Sequence, residues 1–268
     1  MKLAIVVILV GAIILVSWAP WSRGNAAAVD VVGSTSVQPF AEMLAQEYVK
    51  RFPEDPVEVQ GGGSAQGLQA ARNGIAHIVM CSRELKDTPD EKGTFNRIQI
   101  ARDGLAIVVH PRNPIAGLTR EQAKEMFQGE LTNWSQVGGE NRPVRLITRE
   151  EGSGTREAFS KLVMHEHDIS PRALTQESNG AVKALVKSDA CAIGYMSLGL
   201  VGHELKAISI DGAAPTAEEV KAGRYKLVRP FLFVTKGEPT VGAQKFIDFV
   251  LSDDAQAMLA REGLISVR

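Results

Sequence analysis

Residues 149–159 read REEGSGTREAF. Gly152 and Gly154 bracket Ser153, Thr155 follows, and Arg149 and Arg156 stand on either side. The chemistry these residues suit is the holding of an anion. The first turn of a helix leaves main-chain N–H groups without intrahelical partners, and the helix dipole favours negative charge there. Glycine lets the main chain approach a ligand, hydroxyls donate hydrogen bonds, and arginine offers a planar, permanently charged fork. The same residues also make ordinary turns and N-caps. In this stretch alone the ordinary reading carries at least equal weight.

The arrangement recurs. A strand-like segment ends, a Gly/Ser/Thr turn follows and a helix-like segment starts at VVGSTSVQPF (31–40), at VQGGGSAQGLQ (59–69) and at LITREEGSGTREAF (146–159). The first turn offers Ser34, Thr35 and Ser36, and one hydroxyl suffices to cap a helix. The second offers Ser64; its glycines at 61, 62, 63 and 67 do not fit G-x-G-x-x-G, and no Walker-type lysine follows. MCSRELK (80–86) adds Ser82 and Arg83 at the end of a third strand. Open α/β sheets bind ligands beyond the carboxyl ends of their strands, so several such turns converge naturally on one small anion.

Catalysis finds little support. Ser153 lies in G-S-G rather than G-x-S-x-G, and His77 and His110 have no evident partners. HEH at 165–167 lacks H-E-x-x-H spacing and reads as a solvated turn. Glu150 and Glu151 are adjacent, so their side chains diverge rather than chelate together. No catalytic residue, metal site or cofactor is expected.

The elements that must position these residues alternate. Strands are predicted at 29–33, 57–61, 75–82, 104–110, 144–150 and 191–199, with helices at about 38–51, 65–74, 120–129, 156–164 and 180–188. In the first helix Phe40, Leu44 and Tyr48 recur at i+4 spacing. KAISI, YKLVRPFLFVT and two helices, at about 241–252 and 254–262, complete the chain. The pattern is α/β with mostly parallel sheets.

Composition agrees with a folded globule: of 268 residues 44% are hydrophobic and 23% charged, and the net charge of −1 gives no reason to expect a nucleic-acid partner. Residues 1–28 read differently. Lys2, an apolar run from Leu3 to Val16 and the small residues up to Ala28 describe a secretory signal, with cleavage expected near Ala26–Ala28. Trp18 and Trp21 at the end of the run also suit an uncleaved membrane anchor. Either reading places the remainder outside the cytoplasm, where Cys81 and Cys191 stand either as a disulfide or as two free thiols.

Taken together, VVGSTSVQPFAEMLAQEY, VQGGGSAQGLQAARNG, CSRELK, ARDGLAIVVHPRNP, LTREQAKEMFQGELTNWSQVGG, REEGSGTREAF and AIGYMSLG resemble, in order, the periplasmic phosphate-binding proteins of ABC importers, the PstS family, and its shorter branch in particular. The resemblance implies a type II periplasmic-binding-protein fold, with two α/β lobes joined by a two-strand hinge and closing on the ligand. Lobe I is expected over 29–106 with 204–268, and lobe II over 107–203. The implied ligand is inorganic phosphate, held without metal by Ser34, Thr35, Ser36, Ser64, Ser82, Arg83, Arg149, Ser153, Gly154 and Thr155. The implied partner is an inner-membrane ABC permease, and the protein is expected to be a monomer without enzymatic activity. Trp134 is expected to pack rather than touch ligand. Phosphate at neutral pH carries a proton that needs an acceptor and sulfate carries none. The longer branch of the family commonly has an aspartate after the third strand, and Ser82 occupies the nearest position in this chain, which leaves Asp103 and Glu151 as candidate acceptors. Another oxyanion (sulfate, molybdate or tungstate) is the first alternative ligand, a secreted phosphatase using Ser153 the second, and an anchored phosphate sensor the third.

Overall fold

The computed structural model describes residues 28–165 and 167–268. The signal or anchor expected over 1–28 therefore lies, but for Ala28, outside the described residues, as does Glu166 of the HEH cluster.

The chain begins with β1 (Val29–Gly33), α1 (Gln38–Arg51), β2 (Val57–Gly61), α2 (Ser64–Arg72), β3 (Ile78–Cys81) and a single turn, α3 (Pro89–Lys92). The long β4 (Phe95–Val109) then leads to β5 (Gly117–Leu118), α4 (Arg120–Gln128), β6 (Arg145–Arg149), α5 (Gly154–Phe159), β7 (Leu174–Gln176), α6 (Asn179–Ser188) and β8 (Ala192–Ser197). After β9 (Lys206–Ala207), β10 (Ser209–Ile210) and α7 (Ala217–Lys221) the chain returns through β11 (Val228–Lys236) to α8 (Val241–Val250) and α9 (Asp253–Arg261).

Two lobes share one strand path, ordered β2-β1-β3-β11-β4-β8-β6-β7. The pairs β1–β2, β1–β3, β6–β8 and β6–β7 are parallel, as helical crossovers require. The strands that pass between lobes, β4 and β11, pair antiparallel. β4 pairs with β11 from Phe95 to Gly104 and with β8 from Leu105 to Val109, so it changes lobe at 104–105. Only the second half of this strand was expected, because FNRIQIARD alternates polar and apolar and lacks the continuous apolar run of GLAIVV.

The cores divide at the same point. Phe40, Leu44, Tyr48, Ile100, Phe231, Phe246 and Leu259 pack in one cluster; Leu105, Ile107, Phe127, Phe159, Tyr195 and Leu227 pack in the other. Ile208, Ile210, Val220 and Tyr225 belong to the second cluster too. The chain thus stays with that core until β11, later than the expected return at 204.

Local chemistry sets the element ends. α4 starts with a capping box, Thr119 accepting from the Gln122 N–H and Gln122 accepting from Thr119, and it ends at Gly129 in the left-handed region. Trp134 is buried and donates Nε1–H to the Cys191 carbonyl at 3.0 Å, a packing role as expected. Cys81 and Cys191 are free thiols.

Candidate anion site

The three turns treat their hydroxyls differently. α1 has Val37 as its N-cap and no side-chain cap, so none of Ser34, Thr35 and Ser36 is used in capping it. α2 likewise starts at Gly63 with no side-chain cap. α5 is capped conventionally, the Ser153 hydroxyl accepting from the Arg156 N–H. Of the expected hydroxyls, Ser153 alone is occupied by its own helix.

The others meet between the lobes. Ser34 Oγ donates to Ser82 Oγ at 2.8 Å, and Ser64 Oγ accepts the Ser82 N–H at 3.2 Å. Across the cleft, Ser36 Oγ and Thr155 Oγ1 lie 2.7 Å apart, and the Ala65 N–H donates to the Gly152 carbonyl at 3.1 Å. Ser34, Ser36, Ser64, Ser82 and Thr155 are all buried, with Thr35 partly so. Gly154 makes this approach feasible: a Cβ there would come within 2.3 Å of Ser64 Oγ and 2.7 Å of Ser82 Oγ.

Two guanidinium groups enter the cluster. Arg149, at the end of β6, is 1% exposed; Nη2 donates to Thr35 Oγ1 at 3.3 Å, and Nη1 is buried without a hydrogen-bond partner. Glu150 holds this guanidinium from the side, through Nε and Nη2, each at 2.8 Å. Below it Tyr195, stacked on Phe159 at 4.0 Å, has its hydroxyl 2.7 Å from Thr148 Oγ1 and accepts the Arg149 N–H at 3.2 Å. That aromatic floor fixes where β6 ends and α5 begins.

Arg229 is the second. It stands opposite Asp103 in the β11–β4 register, at the lobe crossing. Nε and Nη2 donate to Asp103 Oδ2 at 3.0 and 2.9 Å, and Nη1 donates to Thr155 Oγ1 at 2.7 Å. Asp103 is fully buried and accepts from Ser197 Oγ at 2.9 Å. Burial pushes its carboxyl above the ordinary aspartate range, against the pull of Arg229 and Ser197. Asn179, at the start of α6, completes the set by donating Nδ2–H to Ser36 Oγ at 2.8 Å and Thr35 Oγ1 at 3.2 Å.

Several expectations are revised. The Arg83 guanidinium turns to Glu91, with two contacts at 2.8 Å, and to Glu157 at 3.0 Å, rather than to the hydroxyls. Glu151 is exposed; its neighbour Glu150 is the carboxylate the turn brings in. Asp103 reaches the hydroxyls through Arg229 and Ser197 rather than by itself. Arg229, Asn179 and Glu150 were missed by sequence reading. For Arg229 a signal existed, an arginine set in the apolar strand LVRPFLFV. His77 lies away from the cluster, its Nδ1 accepting the Asp30 N–H at 3.0 Å, and His165 and His167 are exposed.

The profile of the PBP superfamily domain matches residues 21–254. The phosphate-binding protein PstS of Bacillus subtilis strain 168 is 30% identical over 241 residues, 88% of this chain and 80% of that protein. The chain belongs to the PBP superfamily and, within it, to the PstS family. Among solved PstS-like structures, a candidate phosphate ABC transporter substrate-binding protein from Clostridium perfringens, with bound phosphate, shares 37% identity at a TM-score of 0.86, covering 90% of this chain and all of that one. An ABC-type phosphate transport receptor from Vibrio cholerae shares 37% identity at a TM-score of 0.74, over 88% of this chain and 99% of its own. The PstS family is one of binding proteins, and the two-lobed architecture above is its fold. Among the described residues no helix is long and apolar enough to cross a membrane.

Proposed function

We propose that this chain is an extracytoplasmic receptor that captures inorganic phosphate between its lobes and delivers it to an inner-membrane ABC permease, as a monomer and without catalysing a reaction. The observation that carries the reading is the meeting of buried hydroxyls from both lobes, Ser36 Oγ and Thr155 Oγ1 at 2.7 Å, between two buried guanidinium groups. The relatives named above, as phosphate-binding proteins and phosphate transport receptors, support phosphate as the ligand.

We place lobe I at 29–104 with 228–268 and lobe II at 105–227, following the strand pairing and the cores. Lobe I offers Ser34, Thr35, Ser36, Ser64 and Ser82; lobe II offers Arg149, Gly154, Thr155 and Asn179, with Arg229 at the crossing. In the open form water solvates these donors. Closure removes it, and hydrogen bonds between guanidinium, hydroxyl and a charged oxyanion gain strength in the lower dielectric. The closed shape is then what a permease distinguishes. Export rests on the N-terminal segment, read as signal or anchor.

For the proton of hydrogen phosphate, Glu150 is the better acceptor. A carboxylate has about four lone-pair sites. Glu150 uses two on Arg149, whereas Asp103 uses three and lies behind Arg229. A second reading, sulfate as ligand, draws on the same donor-rich lining, which suits an oxyanion with no proton. Equilibrium dialysis against labelled phosphate, with sulfate as competitor, separates the two: displacement by sulfate at equal concentration overturns the phosphate reading. Phosphatase activity across a metal screen would overturn the non-enzymatic part.

A further inference from the structure

Two side chains donate into the hydroxyl cluster in a fixed direction. Asn179 Oδ1 accepts the Ser197 main-chain N–H at 3.2 Å. A main-chain N–H only donates, so this contact fixes the amide, with Nδ2 directed to Ser36 Oγ and Thr35 Oγ1. Arg229 has donors only, and its Nη1–H takes one of the two acceptor lone pairs of Thr155 Oγ1. Ser36 and Thr155 then bring two hydroxyl protons to the single hydrogen bond between them, so one proton is surplus.

We infer that Asn179 and Arg229 are polarity-setting residues of the anion site, donating to Thr35, Ser36 and Thr155 so that hydroxyl protons are left to face the bound oxyanion. This rests on the receptor reading above. Ser197, the last residue of β8, holds both: its N–H fixes Asn179, and its hydroxyl donates to Asp103, which grips Arg229. Asn179 and Arg229 are 2% and 3% exposed, so bulk water does not compete for these hydroxyls. A cluster polarised in advance binds an anion without reorienting its dipoles.

The test exchanges donor for acceptor at one atom. Asn179→Asp keeps the shape but can only accept when ionised. In calorimetric titration with inorganic phosphate at neutral pH it is expected to bind about 10–100-fold more weakly than Asn179→Ala. Relative to wild type at the same pH, affinity should return in acid as the carboxyl regains a proton to donate. Simple repulsion of the anion is separated by repeating the pair with Ser36→Ala: action through the hydroxyl shrinks the penalty, whereas repulsion leaves it unchanged. If Asn179→Asp does not fold, the cycle of Asn179→Ala with Ser36→Ala decides, coupling of about threefold or more supporting the inference and strict additivity overturning it. Wild type that binds phosphate, with Asn179→Asp no worse than Asn179→Ala or penalised equally in both backgrounds, overturns this inference and leaves the receptor standing. Wild type that binds none of phosphate, arsenate and sulfate overturns both.

Discussion

Ser36 and Thr155 are 119 residues apart in the chain, on different lobes, yet their hydroxyl oxygens lie 2.7 Å apart and both are buried. Neither serves its helix as a cap: the N-cap position of α1 is Val37, with no side-chain cap, and α5 is capped by Ser153. Their contact is a property of the closed pair of lobes. Thr155→Val keeps the volume and removes the hydroxyl, leaving Arg229 Nη1 and Ser36 Oγ short of a partner. Loss of a buried hydrogen bond to a charged group is worth about 1.5–3 kcal/mol, so phosphate affinity should fall by about 10–100-fold while circular dichroism stays that of the wild type. Unchanged affinity would remove Thr155 from the site.

Gly154 gives a steric test of closure. A methyl group there would meet Ser64 Oγ and Ser82 Oγ of the other lobe, well inside contact distance. Gly154→Ala is expected to hold the lobes apart, lowering phosphate affinity at least about tenfold while each lobe keeps its own packing. Small-angle scattering of the variant with phosphate added should show the more open particle. Wild-type affinity in this variant would mean that the lobes do not close at this glycine.

Much of this was legible in sequence, and the reason is local. Glycines, hydroxyls and i+4 apolar spacing act over a few residues, so VVGSTSVQPF and REEGSGTREAF announce their strand–turn–helix units directly. What a side chain faces from another segment is not local. Arg83 looked like an anion ligand by position, but Glu91 and Glu157 claim it from α3 and α5. Arg229 and Asp103 are 126 residues apart and become partners only when β11 lies beside β4. Asn179 reads as the first residue of an ordinary helix until Ser197 fixes its amide. The late return at β11 was hidden because KAISI and its surroundings carry no sign of which core they join.

Glu157 of α5 meets Arg83 at 3.0 Å and Lys86 at 3.1 Å, both on the other lobe. These ion pairs bridge the two lobes and touch no hydroxyl of the site. Glu157→Gln should therefore speed phosphate release about 2–5-fold in stopped-flow measurements, with association little changed. Salt should accelerate release of the wild type more than of the variant, because Lys86 is exposed and screened. Equal salt dependence in the two proteins would rule the latch out.

Glu91 gives a pH test. Burial raises its carboxyl, but hydrogen bonds from Arg83 and the Lys86 N–H outweigh this and hold it below the ordinary glutamate range. A depressed folded-state value means the unfolded chain binds the proton first. The stabilisation is thus complete above the unfolded glutamate pKa of about 4.3 and is lost as pH falls through the lower folded one. Urea unfolding of the wild type should weaken across that acid window, and Glu91→Gln should be less stable at neutral pH with a flatter acid limb. An acid limb identical in slope would mean that Glu91 is not the group responsible.

In the function proposed above, the two lobes close on phosphate and tell it from sulfate. Protein stripped of bound anion by reversible unfolding, titrated calorimetrically at neutral pH with phosphate and then with sulfate, tests it most directly. Tight one-to-one phosphate binding with sulfate silent is expected, and Glu150→Gln should narrow the gap between the two anions. Silence toward phosphate, or equal heats from both anions, would mean that the lobes do not form a phosphate-selective site.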